Sequence, residues 1–207
     1  MINFKYPTYT IINGERFDIN TSYKVAIECN EIAKDKSIYP EEKGLAIIYK
    51  IFGDKGLESK DNYEKLLQCA LKFLSRGEEI ESAEDIEPDM DYVKDFSLIK
   101  TSFRSDFNIN LDLEDMHWWE FFDLLNGLSY SEFGNCCILN RIRSLRRMDT
   151  SKISDTNLKK EIEDSKKYFS LKKNDKNEDR FTDEQKANIE RFYKEAGIER
   201  GENNGEN

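Results

Sequence analysis

Met116-His117-Trp118-Trp119-Glu120-Phe121-Phe122-Asp123-Leu124-Leu125-Asn126-Gly127-Leu128 places two tryptophans, two phenylalanines and three leucines in thirteen residues. Advancing about 100° per residue spreads Trp118, Trp119, Phe121, Phe122, Leu124, Leu125 and Leu128 over an arc of about 220°, against the roughly 100° of a helix that meets a core on one side. Glu120, Asp123 and Asn126 interrupt the arc. Such a helix must be covered on more than one side. Packing inside its own domain is one way. The other is a partner groove or hot spot in which Trp118, Trp119 and Phe122 act as anchors or shape the surface, because Trp and Arg are enriched at such spots. Self-association as a homo-oligomer would also cover it.

Upstream of this segment the pattern is again helical. Tyr92, Phe96, Ile99 and Phe103 fall on one stripe that Phe107 continues, followed by an extended Asn108-Ile109-Asn110-Leu111. Before it, residues 78–91 carry Glu78, Glu79, Glu81, Glu84, Asp85, Glu87, Asp89 and Asp91, no basic residue and Pro88, the composition of a solvated linker. The glycine and alternating oxygen ligands of a calcium loop are missing from it. Tyr63, Leu67, Ala70 and Leu74 mark an earlier helix opened by Ser59 or Asp61 and closed at Gly77. Pro40-Glu41-Glu42 opens another, with Leu45, Ile48, Ile51 and Phe52, which Gly53 and Gly56 are expected to end. Asn20, Thr21 or Ser22 caps a first helix running to about Ala33. At the N-terminal side, Tyr9–Ile12 and Glu15–Ile19 flank Asn13-Gly14, the pair that best accepts the positive φ angles of a type I′ hairpin turn.

Downstream, Ser131 is the expected cap of a helix through Ile138, Ile142 and Leu145, and Leu158, Ile162 and Phe169 mark the next stripe, to Leu171. Thr182-Asp183-Glu184-Gln185 reads as a capping box for a short last helix that Gly197 stops. The expected fold is therefore mainly α, a small N-terminal β-hairpin followed by a multi-helix domain of about seven to eight helices. Its parts are residues 1–77 with the hairpin and three helices, the acidic linker 78–91, a helical domain 92–173 around the aromatic helix, a C-terminal helix 174–196, and a tail 197–207 with nothing to bury, expected to be disordered.

In 207 residues, 42 acidic against 32 basic side chains leave a net charge of −10, so the surface as a whole repels phosphate and anionic lipid; no nucleic-acid partner is expected. Aromatic residues at 12% separate the chain from a wholly disordered acidic one. No apolar run approaches the roughly 18 residues of a membrane span, and Met1 leads into Asn3, Lys5, Tyr6 and Pro7 without a signal-peptide core, so a cytoplasmic location and no membrane partner are expected. Cys29, Cys69, Cys136 and Cys137 lack metal-ligand spacing and read as buried reduced thiols; the vicinal Cys136-Cys137 pair would bridge only with strain.

The sequence carries little that reads as catalytic chemistry. His117, the one histidine, lies in the aromatic segment with no nucleophile motif beside it, and reads as a helix side chain that packs or hydrogen-bonds locally. No phosphate-binding glycine motif occurs. Asp112, Glu114, Asp115, Glu120 and Asp123 read as capping charge rather than an acid–base pair. Arg141, Arg143, Arg146 and Arg147 form the one basic patch, at a helix end where cations suit the dipole; pairing with the protein's own carboxylates is favoured over nucleic acid. Enzyme, cofactor and metal are thus all read as none.

Several blocks, in order, resemble the bacteriophage gene-product-fifteen family: Asn13-Gly14-Glu15-Arg16-Phe17-Asp18-Ile19-Asn20-Thr21-Ser22-Tyr23, Phe73-Leu74-Ser75-Arg76-Gly77, Asp106-Phe107-Asn108-Ile109-Asn110-Leu111, Met116 to Phe121, Leu124 to Leu128, and Arg147-Met148-Asp149-Thr150-Ser151-Lys152-Ile153. The likeness spans roughly residues 10 to 172, with the His117-Trp118-Trp119 block its most specific piece. It implies a tail-module protein of phages and prophages, encoded near the tape-measure gene and acting as a tail assembly chaperone in the cytoplasm of the bacterial host. It carries over no catalytic residue. The implied partners are the tape-measure protein, whose long amphipathic helices need cover before the tube forms, and the tail-tube protein. Trp118, Trp119 and Phe122 would then anchor or shape the client surface, and Arg141, Arg143 and Arg146 would pair with acidic client side chains. A structural tail or neck subunit retained in the mature particle is the alternative. The acidic linker and the extra helix after Lys173 depart from the family pattern.

Overall fold

Asn13 and Gly14 take φ angles of 51° and 83°, the left-handed pair that matches a two-residue turn to the twist of its strands. Strands β1 (Tyr9–Ile12) and β2 (Glu15–Asp18) pair antiparallel in the register Tyr9↔Asp18 to Ile12↔Glu15. Ile12 and Phe17 turn inward, and the Phe17 ring meets Phe52 edge-on at 6.2 Å. The computed structural model describes residues 6–77, 88–130 and 136–171. Among these the fold is mainly helical, with seven α-helices after the hairpin. Residues 78–87 of the acidic linker, Ser131, the expected helix at 174–196 and the tail 197–207 lie outside the described residues.

Helix α1 (Tyr23–Lys34) starts at Ser22, whose hydroxyl accepts the Lys24 N–H at 3.2 Å. Helix α2 (Pro40–Glu58) does not end at Gly53: φ of 66° and ψ of −159° there put a kink in it, and helical turns resume to Glu58. The kink has a use. It frees the Ile51 carbonyl from the helix ladder, and that oxygen accepts the Asn20 N–H at 2.8 Å, tying the hairpin exit to α2. After a 3₁₀ turn at Lys60–Asn62, α3 (Tyr63–Leu74) buries Leu66, Ala70 and Phe73.

Helix α4 (Phe96–Phe107) follows residues 88–95 and ends with Asn108 in the left-handed region. Helix α5 (Trp118–Asn126) begins two residues later than the aromatic run suggests, because His117 is its N-cap and not part of its first turn. Helix α6 (Ile138–Arg147) starts at Cys137, whose sulfur accepts the Asn140 N–H at 3.5 Å. The expected cap at Ser131 is thus replaced by one six residues on. Helix α7 (Thr156–Tyr168) is capped by Asp155 and lies against α6 with no fully buried side chain.

One hydrophobic cluster runs from Ile12 and Phe17 through Tyr23, Ile48 and Leu66 to Ile99, Phe103, Phe121 and Leu139. Both flanks of the 78–91 segment contribute to it. Fully burying such side chains stabilises by roughly 1.5–3 kcal/mol each before conformational entropy is charged against it.

Candidate functional site

A helix leaves its last four carbonyls without intrahelical donors, and at the end of α3 each of them finds one. Leu71 O accepts Ser75 N–H at 2.9 Å and Lys72 O accepts Gly77 N–H at 2.7 Å, as the chain turns through left-handed Arg76 and Gly77. Phe73 O accepts Arg76 N–H at 3.2 Å and the Trp119 indole N–H at 2.9 Å. Leu74 O accepts the Trp118 indole N–H at 3.0 Å. Two adjacent tryptophans therefore cap two adjacent carbonyls of another helix. An indole N–H that leaves water requires such an acceptor.

His117 fixes the geometry from the other side. Its Nδ1 accepts the Trp119 N–H at 3.0 Å, so the proton sits on Nε2, which donates to the Pro7 carbonyl at 2.9 Å. The backbone of the same turn is stitched to the start of α1: Trp118 N–H donates to Thr21 O at 2.7 Å and Tyr23 N–H to Met116 O at 3.1 Å. Tyr23 lies on Phe121 at 4.6 Å and 6° between planes, and Phe121 on Phe103 at 5.1 Å. Burial, with Asp115 and Asp112 nearby, pushes the Tyr23 hydroxyl up to about 12, so it stays a donor to Leu111 O at 2.9 Å.

The two indoles differ in their surroundings. Trp118 is 2% exposed, closed in by Phe121, Phe122 and the edge of Tyr92 at 5.7 Å. Burial pushes the Tyr92 hydroxyl up to about 12, with Arg143 acting the opposite way. Trp119 is only half-buried, between Phe73 at 6.3 Å and Tyr6 at 6.3 Å. Phe122 is also half-buried, and the Arg76 guanidinium lies over its ring at 4.7 Å. Arg76 reaches Asp123 at 2.6 Å, and Asp123 accepts the Tyr6 hydroxyl at 2.9 Å. That bond, more than burial, raises the Tyr6 hydroxyl above its ordinary value. The Arg76 Nε is buried without a hydrogen-bond partner among the described residues.

Of the α6 arginines, Arg143 and Arg146 turn inward while Arg147 stays exposed. Arg146 Nη1 and Nη2 grip Asp95 Oδ2 and Oδ1, each at 2.7 Å, while Nη1 also donates to Asp89 O at 2.8 Å and Nε to Phe169 O at 2.7 Å. The two side chains are 11% and 3% exposed. Arg143 and Arg147 both reach Asp89, at 2.9 and 2.5 Å. Arg141 is exposed. Asp89 at the end of the acidic segment and Asp95 beyond it thus pair with Arg143, Arg146 and Arg147, as the expected pairing with the protein's own carboxylates anticipates.

Among the described residues no group of three His, Cys, Asp or Glu is placed to hold a metal ion, and no helix is long and apolar enough to cross a membrane. Cys29 and Cys137 are buried, Cys69 and Cys136 half-buried; burial pushes the Cys29 thiol up to about 12.

The family model described as Bacteriophage Gp15 protein matches residues 5–171. This chain belongs to the bacteriophage Gp15 family. None of the curated proteins and none of the solved structures matches it.

Within this Gp15 family member the blocks Phe73–Gly77 and Met116–Phe121 meet in space: one supplies the carbonyls and the other the indoles. Of the residues expected at a partner contact, Arg141 is exposed, Trp119, Phe122 and Arg143 are half-buried, Arg146 keeps 11% of its side chain exposed, and Trp118 is buried. Tyr6, Arg76 and Asp123 join the aromatic surface without having been singled out. The signal for Arg76 is its place before a C-terminal glycine; Tyr6 carries none.

Proposed function

We propose that this Gp15 family member is a non-enzymatic tail assembly chaperone, acting in the cytoplasm of the bacterial host, that holds tape-measure or tail-tube protein through the aromatic surface at the junction of α3 and α5. The observation that carries the reading is the unequal cover of the paired indoles: Trp118 is sealed, while Trp119 and Phe122, from the same block, stay half-buried beside Arg76 and Asp123. An aromatic surface rimmed by one basic and one acidic side chain suits an amphipathic helix or extended segment that alternates apolar and charged residues. Family membership supports a phage role, and no nucleotide or metal chemistry is needed for it.

Affinity capture of the tagged chain, co-expressed with the tape-measure protein of its phage, tests the reading. Retention of the tape-measure protein, reduced at least severalfold by Trp119→Ala, is expected; no retention contradicts it. A structural subunit kept in the mature particle is the second reading, favoured by how much of the expected contact set is internal, Trp118 and Arg146 above all. Mass spectrometry of purified particles separates them: stoichiometric copies favour the subunit, absence the chaperone.

A further inference from the structure

We infer that Tyr6 and Pro7 form a strap over a preformed surface that takes a tyrosine-bearing extended segment, and that a client segment of the same chemistry displaces the strap. The identity of the client rests on the assembly reading; the surface does not.

Tyr6 stacks on His117 at 4.9 Å and 23° between planes, presents its edge to Trp119, and donates its hydroxyl to Asp123 at 2.9 Å. The next carbonyl, of Pro7, receives the His117 Nε2–H at 2.9 Å. A proline after the tyrosine holds it extended. The contacts specify a ligand: an aromatic ring, a hydroxyl donor at its far end, and a main-chain carbonyl one residue on.

Each group that meets the strap is anchored without it. His117 is held by the Trp119 N–H, Trp119 by Phe73 O, and Asp123 by Arg76. Withdrawing Tyr6 therefore leaves a standing site instead of a collapsed one, the preorganisation that favours binding. Tyr6 is itself 38% exposed, and an equivalent segment would remake the same ring, hydroxyl and carbonyl contacts, so the exchange costs little.

Full-length Tyr6→Ala tests this through tryptophan emission. The variant should shift emission to the red and at least double acrylamide quenching, and adding Trp119→Phe should abolish the change because Trp118 stays sealed. The peptide acetyl-Tyr-Pro-Thr-amide should bind Tyr6→Ala saturably and reverse the shift, with acetyl-Phe-Pro-Thr-amide several-fold weaker for want of a donor to Asp123. Tyr6→Phe, which keeps the ring, should give an intermediate quenching and guards against a misfolded alanine variant. Unchanged emission, or a peptide that leaves Tyr6→Ala unaffected, overturns the inference. With co-expressed tape-measure protein, several-fold more capture by Tyr6→Ala than by the parent supports displacement, and equal capture overturns it. Capture by neither refutes the client reading, while the peptide result still decides the surface.

Discussion

Replacing Arg146 by methionine separates a folding role from a client-binding one. The side chain makes four hydrogen bonds, two of them to Asp95, which is 3% exposed. Methionine fills much of the same volume but strands the carboxylate. Removing one partner of a buried ion pair costs about 3–5 kcal/mol. A loss of about 3–5 kcal/mol is expected, a large part of the roughly 5–15 kcal/mol that holds a domain together. Urea unfolding followed by circular dichroism reads it as a lowered midpoint. The double variant Arg146→Met with Asp95→Asn should regain about half, because no buried charge is left. An unfolding free energy within about 0.5 kcal/mol of the parent would contradict this folding role and leave Arg146 as a client contact.

Trp118→Phe removes the one donor described at Leu74 O and is expected to destabilise by about 1–3 kcal/mol in the same urea assay; Trp119→Phe, at a carbonyl that keeps the Arg76 N–H, should cost about half as much. Gly53→Ala forces a side chain onto a residue with φ of 66° and should cost about 1–3 kcal/mol, with faster hydrogen exchange at the Asn20 amide that depends on the kink. For Asp91, burial acts to raise the pKa but is outweighed by the Lys94 N–H, the Lys34 ammonium and the Val93 N–H, so it lies below the ordinary value. A depressed native pKa gives stability that is present above the unfolded value near ~3.9 and lost as pH falls through the native one. Asp91→Asn should therefore unfold at lower urea than the parent at pH 7, and the gap should close below about pH 4. Lys34, raised by Asp91 and Glu31 against the effect of burial, holds the other end of the same pair, which is lost at high pH as the ammonium deprotonates through its native value.

Elements with a local cause were legible in the sequence. Asn13-Gly14 demands a hairpin because few other pairs accept two positive φ angles, and Ser22 caps α1 through its own hydroxyl. What escaped depends on distant partners. Gly53 reads as a stop, since nothing local shows that the Asn20 N–H needs the Ile51 carbonyl. Helical periodicity spans His117 without revealing that its ring closes the first turn as a cap. The wide apolar arc of α5 shows that cover is needed but not that Tyr23, Phe103 and Tyr92 supply much of it, which is why Trp118 is sealed. Pairing of the arginines with the protein's own carboxylates was anticipated in kind; Asp89 and Asp95 as the acceptors were not, because partner choice is set by tertiary packing.

Client holding is read most directly in the solubility of the tape-measure protein, produced alone and with this chain, with the soluble fraction sized by chromatography and light scattering. A soluble species containing both chains is expected, diminished by Trp119→Ala under conditions where that variant remains folded. A tape-measure protein equally soluble with and without this chain, and a chain that elutes at the same mass in both cases, would contradict it.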